Sequence, residues 1–145
     1  MEGLRFISEQ QPVRVRLLKP VEERVEAGGV VVEPTPAGGE LKVPCWVAET
    51  LAELGYVEPL KLKVEEVRRA KLLERMERKP VKLPEAFYAR IRGSREVEDL
   101  VKMRIWKIVK LACTLKVEPA SLTLEEKQLF RTVQNAISQF LEALT

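Results

Sequence analysis

Histidine is absent from this 145-residue chain, Asn occurs once, at Asn135, and the only cysteines, Cys45 and Cys113, stand far apart. Each absence excludes chemistry. Without His or a CxxC pair there is no recognisable metal site or redox couple, so the two thiols are expected to be free and buried in a reducing compartment. Nor is there a Gly-rich phosphate loop followed by Lys-Ser/Thr, a GxSxG elbow, or an acid pair in a glycine-framed loop. Gly28-Gly29 and Gly38-Gly39 precede no helix start and read as hairpin and loop glycines. No enzymatic activity and no cofactor are expected. The N-terminus carries no apolar signal-peptide core, and no apolar run approaches the roughly 20 residues of a membrane span. A soluble, cytoplasmic protein without membrane contact is the expectation.

What the chain does contain is charge and enough apolar residues for a core: 32% charged and 46% hydrophobic. Many Lys, Arg and Glu with almost no Asn are a thermophile-like composition. The net charge of +3 is unevenly spread. Residues 1–60 hold 6 basic against 10 acidic side chains, net −4, whereas 61–145 hold 19 against 12, net +7. Such asymmetry suits contact with nucleic acid, or the meeting of unlike surfaces in an assembly.

The texture changes at 41–54, LKVPCWVAETLAEL. Before it, Val13, Val15 and Leu17 alternate with charged neighbours in a strand expected over 13–18, and 22–27 and 30–33 flank Gly28-Gly29 as a hairpin. A further strand is expected at 40–43. Pro44 then suits the start of a helix over 44–54, with Gly55 placed to cap it. Beyond 59–63 the pattern is helical: 64–78, 83–92, 95–116 and 124–144. The spacing therefore predicts an α+β chain, a β-rich domain at 1–60 followed by a helical domain at 61–145.

Two helices carry the clues to assembly. In 95–116, Val97, Leu100, Val101, Ile105, Ile108, Leu111, Ala112 and Leu115 form one wide apolar stripe, while Trp106, Val109 and Cys113 form a second on the opposite side. A helix apolar on two sides is expected to be sandwiched. Arg104 falls within the first stripe and must reach water or an acidic partner. In 124–144, a Thr123–Glu126 capping box starts a helix expected to bury Leu129, Phe130, Val133, Ala136, Ile137, Phe140, Leu141 and Leu144. Capping accounts for Glu125-Glu126. In 61–82, Arg68, Arg69, Lys71, Arg75, Arg78, Lys79 and Lys82 are interleaved with Glu65, Glu66, Glu74 and Glu77 at ion-pair spacing. A solvated or interface face is the favoured reading of these charges, and a nucleic-acid-binding module the alternative.

The runs VPCWVAETLAELGYVEP, LLERMERKPVKLPEAFYARI, EVEDLVKMRIWKIVKLACTL and SLTLEEKQLFRTVQNAISQFLEAL, in that order, make the chain resemble the GINS replication complex, in the subunit class whose small β-rich B domain precedes the helical A domain. The resemblance implies a non-enzymatic scaffold at the replication fork, nucleoid-associated in the cytoplasm of an archaeon or nuclear in a eukaryote. It implies a two-plus-two heterotetramer with an A-then-B paralogue. It also implies contacts with the MCM helicase and a RecJ-like/Cdc45-type protein, with primase and DNA polymerase as further partners, and DNA contact that is weak or indirect. Val43, Pro44, Trp46 and Tyr88 are the expected domain-junction residues. Arg104, Trp106, Val109 and Cys113 are expected to pack between subunits, with Phe130 and Phe140 as aromatic anchors.

Overall fold

The computed structural model describes residues 2–92, 94–114 and 116–145. Leu115, placed above in the apolar stripe of 95–116, lies outside them, as do Met1 and Gly93. Among the described residues the order of elements is α1 (Glu2–Gln10), β1 (Pro12–Arg16), β2 (Val25–Ala27), β3 (Val30–Val32), β4 (Glu40–Pro44), α2 (Cys45–Glu53), α3 (Val64–Met76), α4 (Phe87–Arg90), α5 (Glu98–Thr114) and α6 (Leu124–Leu144). The fold is α+β, with two compact units, Met1–Lys61 and Leu62–Thr145. No helix among the described residues is long and apolar enough to cross a membrane.

In the β-rich unit, β1 pairs antiparallel with β4, placing Val13 opposite Val43 and Val15 opposite Leu41. Period two sends Val13 and Val15 inward and Arg14 and Arg16 outward. The hairpin β2–β3 is a separate two-stranded ribbon rather than part of one sheet. Its two-residue turn needs positive φ at both central positions, and Gly28 (57°) and Gly29 (80°) supply it. The strand expected over 22–27 is shorter, because only 25–27 pair with β3. Helix α1 lies outside the elements expected from the sequence pattern.

Helix α2 starts directly from β4, with Pro44 in an extended conformation as its N-cap. It ends as expected: Gly55 takes φ 81°, its N–H donates to the Ala52 carbonyl, and the Tyr56 N–H reaches Leu51. That pair of bonds is a Schellman cap, satisfying carbonyls the helix leaves open. Cys45 and Ala48 are buried with Val13, Leu17 and Val43 in this unit's core. Cys113, also expected to be buried, is exposed.

In the helical unit, α3 turns Val67, Ala70 and Glu74 inward and leaves Leu72 and Met76 exposed. The helix expected over 83–92 is a single turn, since Ala86 before it takes φ 50° in the left-handed region. Phe87 and Tyr88 meet edge to face, ring centroids 5.4 Å apart. One apolar cluster gathers Val67, Leu83, Phe87, Ile91 and Leu100; another gathers Ile108, Ala112, Leu122 and Phe130. The cross-contacts Lys71–Asp99, Glu74–Arg104 and Glu77–Lys107 advance together, so α3 and α5 run in the same direction.

Candidate assembly surface of the helical unit

Helix α5 turns about 100° per residue, which places Arg104 and Trp106 on nearly opposite sides. The two sides have opposite fates. Arg104 is 0% exposed, whereas Trp106 is 69% exposed.

On the inner side Arg104 meets the acidic partner that its position requires, and it meets two. Its Nε and Nη2 fork onto Glu126 of α6, at 2.5 Å to Oε2 and 2.7 Å to Oε1. Its Nη1 donates to Glu74 Oε2 of α3 at 2.8 Å and to the Val81 carbonyl at 2.7 Å. Lys107, one turn on, donates to Glu74 Oε1 at 2.7 Å and to the carbonyls of Glu74 and Glu77. All three ammonium hydrogens are thereby engaged, and the positive charge sits at the C-terminal end of α3, where the helix dipole favours it. Glu126 also accepts the Thr123 N–H and the Tyr88 hydroxyl, each at 3.0 Å. Its carboxylate is therefore more than the cap its sequence position accounts for. Two cations and two carboxylates leave the cluster without net charge, and it ties α3, α4, α5 and α6 together. Networks satisfied in this way fix one arrangement of the elements they join.

The electrostatics agree with the geometry. Burial pushes the Tyr88 phenol far above its ordinary 10.0, and the charge and hydrogen bond of Glu126 add to the rise. Burial alone would lower the Arg104 pKa, but the hydrogen bonds and charges of Glu126 and Glu74 raise it. Because the folded Tyr88 keeps its proton, its contribution to stability is intact below pH 10 and is lost as the pH climbs above that value. Tyr88→Phe is expected to cost about 1 kcal/mol near neutrality. Urea titrations at pH 8 and above pH 10 should show that gap shrinking; a constant gap would mean the phenol ionises in place.

The outer side of α5 is open. Ile105 is exposed beside Trp106, Val109 is half-buried and Cys113 is exposed. Helix α6 continues the exposure. Phe130 is sealed in the core, but of the apolar groups expected to follow it inward, Ala136, Phe140, Leu141 and Leu144 are exposed, and Val133 and Ile137 only half-buried. Phe140 stands 65% exposed. The packing available within the chain ends before the helix does.

The sequence-predicted residues thus separate. Arg104 and Phe130 belong to the unit's own interior, a correction to their placement between subunits: the acids that neutralise Arg104 come from this chain. Trp106, Val109, Cys113 and Phe140 are on accessible faces. Val43, Pro44 and Trp46 make the strand-to-helix turn inside the β-rich unit, whereas the break between units falls after Lys61, and Tyr88 lies wholly within the helical unit. Glu74 and Lys107 were not singled out as site residues. The signal for Glu74 was its position at i+7 from Val67 and i+4 from Ala70, an apolar spacing. Of the glutamates expected to pair along α3, Glu74 turns inward and Glu66 accepts the Lys63 N–H at the helix start.

Comparison of the sequence with protein-family models finds no match. Comparison with curated proteins finds none either.

Proposed function

We propose that the chain is a non-catalytic assembly subunit whose helical unit packs against helices of other subunits. The observation that carries this is the run of exposed large apolar side chains on α5 and α6: Ile105, Trp106, Phe140, Leu141 and Leu144. Apolar area of this kind on a soluble chain marks a contact surface. Within that class, the B-then-A order and the four sequence runs support a GINS-type scaffold at the replication fork. Its neighbour is an A-then-B paralogue in a two-plus-two tetramer. The complex links an MCM helicase to a RecJ-like/Cdc45-type protein, with primase or polymerase as further partners.

Co-expression with an A-then-B paralogue followed by multi-angle light scattering tests the reading. The expected result is a co-eluting heterotetramer. A folded monomer indifferent to the paralogue would sink it.

One observation favours the second reading, a nucleic-acid-binding face over 61–82. With Glu74 turned inward, Arg68, Arg69, Arg75, Arg78, Lys79 and Lys82 remain exposed. Tight, salt-sensitive duplex or single-strand binding by the isolated chain would be its mark.

A further inference from the structure

A groove of about 700 Å³ lies wholly within the β-rich unit, a volume in the range of ligand sites. One wall is a face of the β2–β3 hairpin. Register places Val25 opposite Val32 and Ala27 opposite Val30, so these four side chains share that face. The other wall is the side of α2 carrying Val47, Leu51 and Leu54. Trp46 joins the two walls: a Cβ added to Gly28 would lie 3.2 Å from the tip of its indole ring. The groove is therefore closed at the hairpin turn. Its lips remain apolar and open, with Val25 52% and Leu54 62% exposed.

The charge in this groove is one-sided. Glu22 and Glu23 both line it, and neither makes an ion pair among the described residues. Lys19 is the basic residue of the lining, but its Nζ sits at Gly55, 3.5 Å from where a Cβ would be, beside the C-terminus of α2. The negative end of the α2 dipole favours a cation there, and neither glutamate pairs with Lys19 among the described residues. The whole stretch 1–60 is acidic, at net −4. Beside the groove, β2 is exposed along its length and is an outer strand of a two-stranded ribbon. Because Ala27 and Val30 close the hairpin as a hydrogen-bonded pair, the N–H and C=O of Glu26 point away from β3. They are available to an added strand.

We propose that this groove binds a short linear segment of a partner protein, extended along β2. It seats an aliphatic or aromatic side chain between Val25 and Leu54 and sets Lys or Arg against Glu22 and Glu23. Main-chain bonds to a strand edge give such segments affinity, and side-chain pockets give them specificity. The inference stands on the β-rich unit alone and does not depend on the assembly reading of the helical one.

Panning a random heptapeptide phage library on the full chain tests it. The expected result is enrichment of peptides that alternate Leu, Ile, Val or Phe with Lys or Arg. Synthetic versions of these peptides, followed by fluorescence anisotropy, should weaken at least about tenfold on E22K/E23K and on Leu54→Asp, and be unchanged on Trp106→Ala. All the substituted side chains are exposed, so circular dichroism should report intact folding. No enrichment would overturn the proposal, as would enrichment of acidic peptides, affinity unchanged on E22K/E23K, or affinity lost on Trp106→Ala.

Discussion

Arg104→Ala is expected to destabilise the helical unit by about 3–5 kcal/mol, the effect of leaving buried carboxylates without their cation. Glu74 and Glu126 are both buried, and each uses both oxygens in the cluster. Removing the guanidinium takes away four hydrogen bonds, leaving Glu74 with Lys107 as its cation and Glu126 with none among the described residues. Urea unfolding of the full chain followed at 222 nm, dominated by the helical unit, should show the loss as a lower midpoint with little change in slope. Arg104→Lys should recover only part of it. Lysine keeps the charge, but a point ammonium cannot reproduce the fork onto Glu126 together with the bonds to Glu74 and Val81. A cost below about 1 kcal/mol would instead give Arg104 the energetics of a surface ion pair.

Trp106→Ala is expected to do the reverse, sparing the fold and breaking the assembly. With most of its indole in solvent, truncation should change the chain's own stability by no more than about 0.5 kcal/mol. At the centre of an interface a tryptophan of this kind is worth about 2 kcal/mol or more, roughly thirtyfold in dissociation constant. Phe140→Ala on α6 should act in the same direction. Light scattering of the co-expressed complex across a dilution series, beside thermal melts of the isolated variant, separates the two quantities. Equal loss in both would return Trp106 to the interior of its own unit.

Much of the architecture was legible because local signals agree with the fold. Gly28-Gly29 demanded a hairpin, Gly55 a helix stop, and Thr123 with Glu126 a helix start, and each is found. Helix α1, EGLRFISEQ, was missed because it lacks the Pro at its start and the Gly after its end that framed α2, a helix of the same nine-residue length. The depth of α6 was overestimated for a physical reason. Apolar spacing shows that a face is built for burial but not whether the covering surface belongs to the same chain. The charged cluster was half legible. Arg104 at an apolar position required acids, and Glu74 and Glu126 occupy apolar positions of their own, at i+4 from Ala70 and i−4 from Phe130. What no sequence pattern supplies is the pairing of positions 30 and 22 residues away, set by how three helices meet.

The overhang of α6 has a consequence for how the protein becomes ordered. From Asn135 onward the helix has little tertiary contact to hold it, and a segment of about ten residues is marginal as a helix by itself in water. Its backbone amides are expected at the low-protection end of the molecule, opening without global unfolding, which native-state hydrogen exchange would check. A partner that covers Phe140, Leu141 and Leu144 is therefore expected to firm up this segment as it binds, and the helix content of the chain should then rise with the partner's concentration.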